Sequence, residues 1–165
     1  DDGIRRLRGA GAAIVWCPTS NQFLFGDSAP AGLLAPGTDV MLGSDSLLTG
    51  AGSLLDEIRY ARTLRLLSDE RLELAVGPVA ARRLGLEPPS LAIGARADLV
   101  VLRRPLLEAA EVDVALVVAG GELRVLDPAL LPSLGEHAAA GRMHTAQGVT
   151  RWIGQAEEIE VAERC

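Results

Sequence analysis

Asp45 holds the position with the most chemistry in it. It stands in Gly43-Ser44-Asp45-Ser46, directly after the short apolar run Val40-Met41-Leu42 and ahead of an amphipathic stretch. Parallel α/β folds build their sites at the carboxyl ends of strands, and a carboxylate there can ligate a hard or borderline metal and exchange a proton with bound water. An aspartate in a turn can equally serve as an N-cap or turn acceptor for backbone amides. Cys17 closes the other apolar run, but a nucleophilic cysteine needs a base beside it. Both histidines, His137 and His144, fall in a Gly- and Ala-rich tail, so Cys17 reads as a small buried apolar residue. The two histidines lack a helical Glu pattern and read as surface residues rather than a metal pair. Gly43, Gly50 and Gly52 lack the GxGxxG spacing and the GK[ST] ending of a phosphate cradle, and read as loop glycines.

Composition removes several other chemistries. The chain has 165 residues, of which 48% are hydrophobic and 23% charged, a globular balance. Every cationic residue is Arg and none is Lys, which excludes P-loop, Schiff-base and Ser-Lys chemistry within this chain. A net charge of -6, from 16 basic and 22 acidic residues, argues against nucleic acid as a partner. No run of about eighteen apolar residues could span a bilayer, and no basic-then-apolar start resembles a signal peptide, so the expectation is a soluble, cytoplasmic protein with no membrane partner. Cys17 and Cys165 form neither a CxxC nor a disulfide framework, which fits a reducing compartment and leaves no Cys-based zinc site. The chain begins Asp1-Asp2 without an initiator Met, as a piece of something longer would.

Elements must position Asp45. Residues 3–11 read as the tail of a helix ended by Gly9 and Gly11, and Ala12 to Trp16 as a strand buried on both faces. Asn21 to Gly37 reads as a loop with short helical stretches, and Val40 to Leu42 as the next buried strand. Ser53 should cap a helix with Leu54, Leu55, Ile58, Ala61 and Leu64 inward. A second helical pattern starts at Asp69 with Leu72, Ala75 and Val76 on one face, breaks at Gly77-Pro78, and resumes through Leu84 to Gly85. Strand alternating with helix favours a parallel α/β layer. After Pro88-Pro89 the pattern turns to β, with a strand in Ala97 to Leu102 and a hairpin of Val114 to Ala119 and Glu122 to Leu126 around Gly120-Gly121. A boundary near residue 88 gives regions 1–88 and 89–165. From Pro128 onward a loop, a short strand anchored by Trp152-Ile153 and a frayed tail are expected.

Taken together, Cys17-Pro18-Thr19-Ser20-Asn21, then Phe25-Gly26 and Pro30, then Leu42-Gly43-Ser44-Asp45-Ser46 resemble the amidohydrolase superfamily. The nearer likeness is to its cytosine, guanine, triazine and S-adenosylhomocysteine deaminases, where a CP-x-SN segment follows barrel strand seven and G-[TS]-D-[ST] ends strand eight. Downstream, Gly94-Ala95-Arg96-Ala97-Asp98-Leu99-Val100-Val101 resembles the G-x-x-ADLVV segment that returns the chain to the small β-sandwich of those enzymes. The resemblance covers residues 1–126. It implies an α/β fold made of the last strands and helices of a (β/α)8 TIM barrel followed by part of a β-sandwich domain. It also implies that Asp45 is the last metal ligand and the base that takes a proton from metal-bound water, with Ser20, Asn21 and Ser46 bracing loops at the barrel mouth and Asp98 fixing a turn. Gly26-Asp27-Ser28 resembles the opening motif of a family of serine esterases, but no Asp precedes His137 or His144 at short range, so that triad cannot be assembled.

The departures shape the expectation. The superfamily's HxH pair and its two further histidines are absent from this chain, and a catalytic metal site needs about three protein ligands. The expectation is therefore a C-terminal portion of a metal-dependent hydrolase of carbon-nitrogen (non-peptide) bonds, a hydrolytic deaminase of a heteroaromatic ring, inactive as this chain alone. The resemblance implies a divalent metal, zinc before iron, with its remaining ligands elsewhere, and a small-molecule substrate. Two alternatives stay open: a cyclic-amide or imidazolone hydrolase of the same superfamily, and a non-catalytic scaffold or interaction domain. Substrate, metal and any homo-oligomer are not fixed by these residues.

Overall fold

The computed structural model describes residues 2–134, 141–146 and 148–154, and the chain divides into two compact units. The first comprises Asp1–Pro89 with Pro105–Glu111, the second Ser90–Arg104 with Val112–Cys165. The 105–111 segment thus belongs with the first unit, although it lies beyond the Pro88-Pro89 break. His137 and Cys165 lie outside the described residues. Mixed α/β structure is present throughout, with no closed barrel among the described residues: a two-stranded parallel sheet stands in one unit and an open five-stranded antiparallel sheet in the other.

In the first unit, α1 (Asp2–Gly9) leads to β1 (Ile14–Trp16), α2 (Pro18–Phe25), β2 (Val40–Leu42), α3 (Leu54–Leu64), α4 (Asp69–Val76) and α5 (Pro78–Leu84). Strands β1 and β2 pair in parallel, Ile14 with Val40 and Trp16 with Leu42. Helices α3, α4 and α5 pack against β2. Between them Trp16, Leu42, Ile58, Ala61 and Leu72 form an apolar core in which each large side chain removed from water contributes about 1.5–3 kcal/mol. Burial on both faces, expected for these strands, fails at Val15, which is 59% exposed: with only two strands, one face of β1 has no cover. Leu54, expected inward, is 41% exposed at the first turn of α3.

Local chemistry sets the helix ends. The Ser53 hydroxyl accepts from the Asp56 amide at 3.2 Å and the Asp56 carboxylate accepts from the Ser53 amide at 3.2 Å, a reciprocal capping box at the start of α3. Ser68 caps α4 by accepting from the Arg71 amide. Pro78 opens α5 at a position whose N–H has no helical partner in any case. Pro18–Phe25 forms one eight-residue helix, which starts before and runs into the Asn21–Gly37 segment expected as a loop with short helical stretches. Pro18 at its first position fixes φ for helix entry, and Gly26 at φ 66 ends it in the left-handed region. Asn21, expected to open a loop with short helical stretches, is therefore a helical residue, as is Ser20.

In the second unit the order is β3 (Leu99–Leu102), β4 (Val114–Ala119), β5 (Glu122–Leu126), β7 (Val149–Gly154) and β6 (Gly141–Ala146). Gly120 and Gly121 turn β4 into β5 with φ 61 and φ 83, the two positive angles of a tight hairpin. The Asp98 carboxylate accepts from the Gly120 amide at 2.6 Å and so joins the approach to β3 to that turn. Downstream of Pro128 the expectation needs correcting. A single-turn α6 (Leu131–Leu134) is followed by a second hairpin of two six-residue strands in place of one short strand. Five of the six β6 residues are exposed, His144 among them, so the strand lacks the apolar alternation that would reveal it. Buried Trp152 of β7 lies over Gly141, where any Cβ would collide with the indole.

Candidate functional site at the strand ends

Parallel pairing of β1 and β2 brings the two following segments side by side. Cys17 caps α2 directly after β1, and Gly43-Ser44-Asp45-Ser46 leaves β2. Their approach is close: a Cβ at Gly43 would sit 2.8 Å from Val15 Cγ1 and 3.0 Å from Cys17 Sγ. Asp45 itself has φ 54, in the left-handed region that non-glycine residues occupy at a cost of about 1 kcal/mol or more and that marks many functional turns.

The Asp45 carboxylate is held from one side. The Ser20 hydroxyl, on a fully buried side chain, donates to Asp45 Oδ2 at 2.5 Å. Thr49 Oγ1 lies 2.9 Å from Ser20 Oγ and 3.5 Å from Asp45 Oδ2, and Ser46 Oγ lies 3.1 Å from Thr49 Oγ1. A carboxylate only accepts, so Asp45 Oδ2 takes the Ser20 hydroxyl at 2.5 Å and faces the Thr49 hydroxyl at 3.5 Å, while Thr49 Oγ1 is also an acceptor for Ser20. The hydroxyls of Ser20, Thr49 and Ser46 thus cluster on the Oδ2 side, with Ser20 the nearest donor. Oδ1 receives no hydrogen bond from the described residues, and Asp45 is exposed. Asn21 shares α2 with Ser20, but its recorded hydrogen bond is its amide to the Cys17 carbonyl, a helical bond, not a brace on Asp45.

Behind this cluster lies a second carboxylate, not among the candidates that the sequence singles out. Glu57 of α3 is 0% exposed. It accepts from the Thr19 amide at 3.1 Å, from the Thr19 hydroxyl, and from the Ala51 amide at 3.3 Å. The Ala51 amide also lies 2.9 Å from Thr19 Oγ1. One signal was available: Glu57 lies three residues after Leu54 and four before Ala61, inside the apolar stripe of α3, where a charged residue needs dedicated partners. Thr19 and Thr49 carried no such signal, because hydroxyls in short loops are common.

The other singled-out residues take quieter roles. Burial pushes the Cys17 thiol above its ordinary value, and the nearby Asp45 and Glu57 carboxylates push it further, against a backbone hydrogen bond from Asp45. A thiol so raised is a poor nucleophile at neutral pH. Ser28 accepts from the indole Nε1 of buried Trp16 at 3.0 Å and so serves the core.

The donor set bears on metal binding. A carboxylate with one oxygen anchored and the other unengaged suits a single-oxygen ligand to a divalent cation. Among the described residues no group of three or more His, Cys, Asp and Glu side chains converges to hold a metal ion. Asp45 fits one place in a coordination sphere, and the rest of the sphere is not supplied by these residues. No helix among the described residues is long and apolar enough to cross a membrane. Compared with known proteins, the chain matches no family model and no curated protein sequence.

Proposed function

We propose that this chain is a C-terminal portion of a metal-dependent hydrolase acting on carbon-nitrogen bonds other than peptide bonds, and that its reaction is hydrolytic deamination of a heteroaromatic ring. In this reading β1 and β2 are the last two strands of a (β/α)8 barrel and the five-stranded sheet is part of the adjoining small β-sandwich. The observation that carries it is the Asp45 carboxylate at a strand end, with Oδ2 fixed by Ser20 and Oδ1 without a partner among the described residues. Asp45 would be one ligand of the metal, zinc before iron, and the other ligands would come from outside this chain. Bound there, a divalent cation supplies Lewis acidity and lowers the pKa of water.

The chain's own residues do the remainder. Ser20 holds the Asp45 carboxyl in one orientation, so that Oδ1 keeps the same position throughout the cycle. As the water oxygen bonds to the ring carbon the Asp45 carboxylate accepts its proton, and it then passes that proton to the leaving amino group, so that ammonia departs as the carbon-nitrogen bond breaks and the ring carbon keeps the oxygen. Such positioned proton transfer is worth about 10²–10⁴-fold in rate.

Upstream coding sequence provides the test. It should encode an HxH pair followed by two further spaced histidines, and the extended polypeptide should bind metal and release ammonia from an amino-substituted purine, pyrimidine or triazine. Asp45→Asn in that polypeptide should lower turnover by at least about 10²-fold with the fold retained. Absence of those histidines, or full turnover in Asp45→Asn, would overturn the reading.

A further inference from the structure

We infer that Glu57 is a positioning residue for Asp45: its buried carboxylate locks the start of α2 to the loop after β2, and by that lock sets Ser20 against Asp45 Oδ2. Its functional meaning rests on the hydrolase reading above. The lock has two sides. On one, Thr19 gives Glu57 both its amide and its hydroxyl. On the other, Ala51 gives its amide to Glu57 Oε1 at 3.3 Å and lies within bonding distance of Thr19 Oγ1. Gly50 completes the fit, because a Cβ there would collide with the Ser44 carbonyl and lie 3.4 Å from Glu57 Oε1. Ser20, next in sequence to Thr19, then reaches Asp45 at 2.5 Å and Thr49 at 2.9 Å.

Stability alone does not account for a carboxylate in this place. Among the described residues no Arg pairs with Glu57, and its neighbours on α3, Ile58 and Ala61, belong to the apolar core. Burying such a group is unfavourable unless hydrogen bonds compensate, and a well-packed apolar residue of similar volume often does as well or better. What an apolar residue cannot do is fix two polar loops against each other in one register. Among the described residues Glu57 makes no hydrogen bond to Asp45 or Ser20, so it acts through Thr19 and Ala51.

The readout is the Ser20 hydroxyl proton, followed by NMR in the 165-residue chain and identified by its loss in Ser20→Ala. Its exchange is compared with that of the Leu72 amide, which bonds the Ser68 carbonyl at the start of α4 and reports folding of the same unit. In Glu57→Gln the Ser20 hydroxyl should exchange about tenfold faster relative to Leu72, the change expected when one hydrogen bond of ordinary strength is released locally. Thr19→Val, which removes only one hydroxyl of the lock, should act in the same direction and serves if Glu57→Gln does not fold. An unchanged ratio of Ser20 to Leu72 exchange in the folded variant overturns the inference, even if overall stability falls. No turnover enters this measurement, so a failure of the hydrolase reading and a failure of the lock give different results.

Discussion

Cys17 and Asp45 lie at neighbouring strand ends, yet their surroundings give them opposite prospects. Burial first, and then the carboxylates of Asp45 and Glu57, raise the Cys17 thiol above its ordinary 9.0. A group whose folded value is raised favours the folded state while it stays protonated. That contribution is fully present below the unfolded value and is lost as pH rises through the folded one. In a Cys165→Ser background, alkylation of Cys17 near pH 8 should therefore be at least about tenfold slower in the folded chain than in urea. Equal rates would mean an accessible, unperturbed thiol. Asp45 was legible in the sequence because it stands just beyond an apolar strand, where parallel α/β folds place their sites, and because its neighbours resemble a superfamily pattern. Glu57, which fixes its surroundings, was not, because its partners Thr19 and Ala51 are up to 38 residues away in sequence and meet it only through the fold.

Between elements, charges and caps carry the joints. Asp39, just before β2, accepts from Arg82 at 2.9 Å and from Arg83 at 2.7 Å on α5. Hydrogen bonds from Arg82, with Arg83 adding to them, hold its carboxyl below the ordinary 3.8. Burial works to raise the Asp56 carboxyl of the α3 capping box, but bonds from Ser53 and Arg59 prevail and lower it. Carboxyls with lowered folded values stabilise the fold above their unfolded values, and the effect disappears as pH falls through the folded ones. The urea midpoint should therefore drop between about pH 5 and about pH 2, and the drop should shrink in Asp39→Asn and in Asp56→Asn. An undiminished drop in both variants would show that neither carboxyl carries the acid sensitivity. The cap has its own test: Ser53→Ala should cost about 1 kcal/mol by urea unfolding, and no change would mean that the box is not formed in solution. Ser53 was readable because a serine before an apolar 3.6-residue pattern is a local signal. Helix α2 was not: Thr19, Ser20 and Asn21 have weak helical preference, and the helix depends on Pro18, Gly26 and the contacts of Thr19 and Ser20 with residues far along the chain.

Across the whole chain, the alternation of strand and helix before Pro88-Pro89 and the glycine-turned hairpin after it were written in local periodicity. The extent of each sheet was not, because polar, exposed β6 is defined by its pairing with β7 and two parallel strands give no sign of what flanks them. In the first unit Val15 is 59% exposed on its strand, and Phe23, Leu24, Phe25, Leu47 and Leu48 stand more than half exposed on α2 and the turn after Asp45. Parallel strands in stable proteins are covered on both faces, and large apolar side chains left in water favour association. If, as the proposed reading has it, these side chains are met by further barrel elements outside this chain, the 165-residue chain alone should self-associate. Sedimentation velocity should show the weight-average mass rising with concentration, and the paired variant Val15→Thr with Phe25→Ser should move it toward the monomer value. The upstream-extended polypeptide should not share that behaviour at these positions. A chain that stays monomeric at every concentration and unfolds in one cooperative step would instead mean that its strands need no further cover, and would count against its being a barrel portion.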